Sequence, residues 1–134
     1  MKHIYTVIFI FVLIIGLSGC EKNKITGDVV SDLTKDFINN GEIINLKVDG
    51  KNTGNVAANV VLNIIPEDPN LLKISYPGLL EDTLQPNEQI GTKIITIQGF
   101  TQHSQTKLWI KTQLINKDTN KILDEDIQWL TIKK

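Results

Sequence analysis

The sequence contains no arginine: all fourteen basic residues among its 134 are lysines. The guanidinium fork that reads carboxylates, phosphates and base edges is therefore missing. The lysines are scattered among fifteen acids instead of clustered, so a nucleic-acid partner is not expected. Cysteine occurs once, at Cys20, which rules out an intrachain disulfide and leaves core burial to hold the domain together. Beyond the first few residues the one histidine is His103, and no Gly-x-Ser-x-Gly elbow occurs. No catalytic constellation, metal site or cofactor is expected. Long apolar runs are also scarce. One exists, and it opens the chain.

That run spans Ile4 to Leu17 behind Met1-Lys2-His3 and stops at Glu21-Lys22. Fourteen residues of helix span about 21 Å, short of the roughly 30 Å hydrocarbon core of a bilayer. The run is thus a signal segment and not a membrane span. It ends in Leu17-Ser18-Gly19-Cys20. Ser18 and Gly19 are small enough for a peptidase cleft, and a thiolate can attack an activated lipid headgroup. The arrangement resembles the lipobox of prokaryotic lipoproteins. That resemblance implies cleavage after residue 19, lipid on Cys20, and export with anchoring to the outer face of the cytoplasmic membrane or another envelope membrane. The competing reading is an ordinary signal or anchor followed by a structural cysteine.

Without the signal, Cys20 to Lys134 leaves 115 residues, the size of one domain. Lys2 departs with the signal, so thirteen lysines face fifteen acids and the net charge is −2. Residues 20–39 are mostly polar, and the first of them read as a lipidated N-terminus and tether. Within this stretch Val29-Val30 can begin a first edge strand, and Asp32 to Ile38 can form a helical turn. The domain proper is placed at 40–134, after the Asn40-Gly41 turn signal.

From Glu42 the hydrophobic period is two. Ile44, Leu46 and Val48 alternate with polar residues, then Ala58, Val60, Leu62 and Ile64 do so before Pro66. Leu71 to Tyr76 predicts a short strand. Leu84 pins a segment to the core ahead of Gln85-Pro86-Asn87-Glu88, a turn with proline placed to pre-set φ. Ile90 to Gln98 is β-branched. Lys107 to Leu114 and Lys121 to Lys133 predict an antiparallel hairpin closed by Lys117-Asp118-Thr119-Asn120. Turn signals every 8–12 residues and no convincing helix predict an all-β chain, an antiparallel sandwich of about seven strands.

Ile44-Asn45-Leu46-Lys47-Val48 followed by Asn52-Thr53-Gly54-Asn55-Val56-Ala57-Ala58 resembles the opening of CARDB-type immunoglobulin-like domains. Leu84-Gln85-Pro86-Asn87-Glu88 is similar to their Leu-x-Pro-Gly-Glu turn, with Asn87 where glycine is usual, and Asn tolerates positive φ. Asp118 to Glu125 resembles the family's closing segment, without the customary Asn-Asn pair. Short lipoproteins of the FxLyD type share the Asn-Thr-Gly feature and are the close alternative. The resemblance covers roughly residues 40–132 and implies an immunoglobulin-like fold with no catalytic residues.

His103 and Ser104 are neighbours whose side chains point apart in extended chain, so they do not form a catalytic pair. Asp124-Glu125-Asp126, with Asp118 and Asn120 nearby, offers oxygen ligands. However, Asp124 and Asp126 face away from Glu125, and an acidic strand that discourages edge pairing is the better reading. Glu67-Asp68 and Glu81-Asp82 read as solvated loop tips. Trp109 shares a predicted face with Lys107, Lys111 and Gln113, and Trp129 lies on the partner strand. These five residues are the candidate binding surface, an aromatic platform for an extracellular protein or glycan. The alternative is core or cross-strand packing. The favoured function is a lipid-anchored, non-catalytic module for adhesion, scaffolding or extracellular protein binding. The rival is a small-ligand or substrate-binding lipoprotein accessory to a transporter or envelope enzyme.

Overall fold

The computed structural model describes residues 22–76, 78 and 80–134. The expected signal segment, Leu17-Ser18-Gly19-Cys20 and Leu79 lie outside the described residues. Nine strands follow in chain order: β1 (Gly27–Leu33), β2 (Phe37–Asn39), β3 (Ile43–Asn52), β4 (Ala58–Pro66), β5 (Leu72–Ser75), β6 (Glu81–Leu84), β7 (Lys93–Gly99), β8 (Gln105–Asn116) and β9 (Lys121–Lys133). They form two sheets, ordered β1-β3-β7-β5 and β2-β9-β8-β4-β6. All pairings are antiparallel except β2 with β9, which run parallel.

The period-two segments become the inner strands, because their apolar faces can be buried only between two sheets. Leu46, Val48, Ile95 and Ile97 from the first sheet meet Val60, Leu62, Ile110, Leu114, Leu130 and Ile132 from the second, all buried. Burying each such side chain contributes about 1.5–3 kcal/mol before conformational entropy is charged against it. Asn87 adopts φ 66° in the predicted turn, and Asn120 adopts φ 55° in the β8–β9 turn.

Three differences from the sequence reading stand out. There are nine strands, not about seven, because β1 and the short β2 and β6 add polar-rich edges. The stretch from 32 to 38 holds the end of β1, a bend and the start of β2 where a helical turn was the alternative. The sandwich also begins before residue 40, since β1 pairs with β3 along its whole length, from Gly27↔Asn52 to Leu33↔Leu46. The inward side of β1 carries Gly27, Val29, Ser31 and Leu33, too mixed a set to show as an apolar stripe.

Nor do residues 22–26 form a loose tether. Asn55 binds this segment in three places: its N–H donates to the Lys24 carbonyl at 3.0 Å, its Oδ1 accepts from the Lys24 N–H at 2.7 Å, and its Nδ2 donates to the Lys22 carbonyl at 3.3 Å. Thr53 adds a backbone bond to the Thr26 carbonyl at 3.0 Å and a hydroxyl bond to Thr26 Oγ1 at 3.0 Å. Gly54 is glycine for a steric reason, since a Cβ there would overlap the Lys24 carbonyl oxygen. The buried Asn52 side chain holds the turn from inside, donating to the carbonyls of Val56 and Leu84 at 2.8 and 3.0 Å and accepting from the Gly54 N–H at 2.9 Å.

Candidate functional site

The outer face of the five-stranded sheet carries the candidate surface. Alternation along β8 sends Leu108, Ile110 and Leu114 inward and leaves Lys107, Trp109 and Lys111 outward. On β9 the outward set includes Glu125, Ile127 and Trp129. Trp109 and Trp129 are directly opposite each other in register. The backbone of Trp109 points toward the β4 side: its N–H donates to Glu67 Oε2 at 2.8 Å and its carbonyl accepts from the Glu67 N–H at 3.0 Å. The Trp109–Trp129 pair is therefore a non-hydrogen-bonded rung, the type that brings cross-strand side chains closest. Both indoles lie outside the core as a cross-strand pair, with Trp129 50% exposed.

Lysines cap these rings. Lys107 Nζ lies 5.1 Å from the Trp129 ring centroid and Lys111 Nζ 5.6 Å from that of Trp109. Such cation–π contacts are worth about 0.5–1 kcal/mol at exposed sites. Lys111 also pairs with Glu125 at 3.7 Å. Gln113 shares the face but is buried, its amide spent on Glu125 at 3.2 Å and on Asn63 at 3.4 Å. Four of the five candidate residues thus face outward at least partly exposed, and Gln113 braces the sheet beneath them.

The sequence reading missed Phe37. It sits on β2, opposite Thr131, 40% exposed, with Lys133 Nζ 4.5 Å from its ring centroid. Phe37, Trp129 and Trp109 thus occupy three successive strands, each ring with its own ammonium, and the exposed Ile127 adds apolar area beside them. Sixty-eight positions separate Phe37 from the start of this hairpin at Gln105, and a parallel edge pairing leaves no local signal.

The other candidates fall elsewhere. His103 is exposed in a loop, its N–H bonded to Thr101 Oγ1 at 3.1 Å. Glu67 is no idle loop tip, because it caps the Trp109 backbone. Glu81 and Asp82 lie on β6 and not in a loop, since the chain forms one more edge strand there. Together with Asn59, Val60, Thr83, Lys117 and Asp118 they line an open groove of about 580 Å³. Its polar groups largely satisfy one another: Asn59 Nδ2 donates to both Asp118 oxygens at 3.1 Å, Thr83 Oγ1 to Asn59 Oδ1 at 2.6 Å, and Lys117 pairs with Glu81 at 2.5 Å.

Asp124 and Asp126 face the same way, and both reach β1. Val29 N–H donates to Asp124 Oδ2 at 2.9 Å, and Ser31 donates through its N–H and hydroxyl to Asp126 Oδ2 at 2.8 and 2.7 Å. Gln128 Nε2 donates to the Ser31 carbonyl at 3.0 Å. Burial disfavours ionisation of Asp126, but hydrogen bonds from Ser31, Gln128 and Ile127 outweigh it and hold the carboxyl below its usual range. Among the described residues no three His, Cys, Asp or Glu side chains converge on a metal-sized site.

No protein-family model and no curated protein sequence matches the chain. Solved structures do. The chain is similar to the sporulation control protein Spo0M from Bacillus subtilis, with a TM-score of 0.58 and 16% identity over 81% of this chain, which spans 50% of that protein. It is similar to the CARDB domain of a Pyrococcus furiosus protein, crystallised in complex with di-metal ions, with a TM-score of 0.52 and 12% identity over 86% of this chain and 97% of that one. A FixG-related protein from Vibrio parahaemolyticus gives a TM-score of 0.53 and 9% identity over 81% and 95%. At these identities the likeness concerns architecture alone, and on it the chain carries a CARDB-type immunoglobulin-like fold.

Proposed function

We propose that the chain is a lipid-anchored, non-catalytic immunoglobulin-like module of the cell envelope that binds an extracellular protein or glycan through its Trp109–Trp129 face. The lipobox supports export and attachment through Cys20. The immunoglobulin-like neighbours support a binding or scaffolding module over an enzyme. The observation that carries the reading is the directly opposed, solvent-facing indole pair with a lysine over each ring. Aromatic residues concentrate binding energy at interfaces, and folding alone gives little reason to leave Trp129 half in water. The 580 Å³ groove gives less support to a small-ligand carrier, because it is open and its polar groups are engaged with each other.

Two experiments test this. Mass spectrometry of the membrane-extracted protein should show an N-terminal peptide beginning at Cys20 and carrying lipid mass; a mature terminus elsewhere with a free thiol overturns the anchor. Indole emission, followed while purified envelope polysaccharides and envelope proteins are titrated in, should shift saturably with one of them. Trp129→Ala should abolish that shift while leaving the domain folded, with the melting temperature lowered by no more than about 10 °C. A shift that survives the substitution places binding elsewhere.

A further inference from the structure

The segment that joins the sandwich to Cys20 is not free. Lys22 and Lys24 are held by Asn55, Thr26 by Thr53, and the Lys24 carbonyl lies where any side chain at position 54 would be. Only Glu21 separates Lys22 from Cys20, and two residue steps reach at most about 7 Å. A free chain over the six steps from Cys20 to Thr26 would reach about 21 Å, enough for the domain to turn over on its anchor.

This clasp sits at one pole of the sandwich. Gly27 pairs with Asn52 at the end of β3, and a Cβ on Gly27 would meet Leu114 and Leu123, beside the β8–β9 turn. Trp129 lies eight residues along β9 from Lys121 at that turn, about 26 Å away at about 3.3 Å per residue. Lys107, Lys133 and Phe37 are farther still along the same strands.

We infer that the Asn52-Thr53-Gly54-Asn55 turn is a clasp that seats the chain almost up to its lipidated cysteine, so that the sandwich stands on this pole and holds its aromatic–lysine face about 26 Å above the headgroups, toward a partner in the envelope space and not toward the membrane. The inference rests on the lipid attachment proposed above and adds an orientation to it. The competing arrangement has the same face lying on anionic lipid, where tryptophans settle at headgroup level and lysines are attracted by surface charge.

Trp109 and Trp129 are the only indoles in the chain and so report their own height. The membrane-extracted protein is reconstituted in vesicles containing anionic lipid and a dansyl-headgroup acceptor. Flotation with the vesicles is expected; protein left in the aqueous fraction overturns the anchor reading and the orientation with it. On the floated protein, energy transfer from the native indoles should be weak. Thr119→Trp, at the exposed pole turn and in a Trp109→Phe/Trp129→Phe background, should transfer several-fold more strongly. Equal transfer overturns the standing orientation in favour of a face lying on lipid. Hydrogen exchange on the same samples should be slow at the Lys24 and Asn55 amides; fast exchange in the native protein overturns the clasp while leaving the anchor intact. In Asn55→Ala, exchange at Lys24 should speed up and transfer from the native indoles should rise several-fold. Faster exchange with unchanged transfer would show that the clasp does not set the orientation.

Discussion

Ser31 gives both its N–H and its hydroxyl to one oxygen, Asp126 Oδ2, at 2.8 and 2.7 Å, across ninety-five residues and from one sheet to the other. Val29 does the same with its N–H toward Asp124, and Gln128 takes the Ser31 carbonyl. The side chains of β9 thereby do for the free edge of β1 what a neighbouring strand would do. They satisfy the N–H groups of Val29 and Ser31 and the Ser31 carbonyl, which interrupts the row of open groups another chain could pair with. The acidic run therefore protects an edge, but the edge belongs to β1, in the other sheet.

The Asp126 contact makes stability depend on pH in a defined sense. Its folded-state pKa lies below the ordinary carboxylate value, so the unfolded chain takes up the proton first as pH falls. The contribution is complete above the unfolded pKa, near about 4, and is lost as pH drops through the lower folded value. Asp126→Ala should cost about 1–3 kcal/mol at neutral pH, the range for charge-assisted bonds to a partly exposed partner. In urea melts from pH 7 to pH 2, the gap between wild type and Asp126→Ala should narrow at the acid end. A gap that stays constant would assign the loss to packing.

How much of this was legible in the sequence depends on where the signal is local. The faces of β3, β4 and β8 follow from alternation, because a strand buried between two sheets turns every second side chain inward and most of these are apolar, with Thr112 and Asn52 among the buried polar exceptions. Asn52-Thr53-Gly54-Asn55 was legible as a turn by composition. Its second task, seating Lys22 to Thr26, was not, because those partners are polar residues about thirty positions upstream. Val29-Val30 pointed to β1 as a candidate first edge strand, but its full extent did not show because its inward Ser31 is polar and satisfied by Asp126; β2 was hidden because three residues show no period. The Trp109–Trp129 pairing was readable from the hairpin. Phe37 beside it was not.

The core assignment predicts a steep contrast between neighbours. Leu46 and Leu62 are buried at 0% and 2% exposure, and Lys47 is exposed. Leu46→Ala and Leu62→Ala should each cost about 2–5 kcal/mol, while Lys47→Ala should cost under about 0.5 kcal/mol. Chemical denaturation midpoints of the three variants check this. Similar losses at 46 and 47 would mean that the register of β3 is wrong by one residue.

The opposed indoles should be energetically coupled. A double-mutant cycle over Trp109→Ala and Trp129→Ala should return about 0.5–1.5 kcal/mol of interaction, as aromatic pairs do beyond their area burial. Strict additivity would mean that the rings do not touch in solution. Iodide should quench the emission more in Trp109→Ala, which retains the half-exposed Trp129, than in Trp129→Ala.

Asn52 should be among the least replaceable polar residues. It is 0% exposed and makes three hydrogen bonds, two as donor and one as acceptor. Asn52→Ala strands two carbonyls and one N–H, and a cost of about 2–4 kcal/mol is expected from unmet buried groups. Asn52→Asp should be worse at neutral pH and recover in acid, since ionised Asp has no donors for Val56 and Leu84 and adds a charge in a site without a cation. Thermal melts of the two variants at pH 7 and pH 4 separate these outcomes.

Thr112 predicts the opposite sign. It lies fully buried on β8 between Ile110 and Leu114, and its hydroxyl has no hydrogen-bond partner among the described residues. A buried hydroxyl without a partner loses its water and gains nothing in return, a debit of about 1–3 kcal/mol. Valine has nearly the same shape, keeps the β-branch that suits a strand, and carries no group to desolvate. Thr112→Val should therefore raise stability by up to about 1 kcal/mol, the remainder being offset by small packing changes. Thr112→Ser keeps the hydroxyl and removes a methyl, so it should destabilise by about 1 kcal/mol. Denaturant midpoints measured together decide the matter. If valine destabilises as much as serine does, the hydroxyl has a partner in solution, and the interior of this sheet holds a bound water or an alternative rotamer.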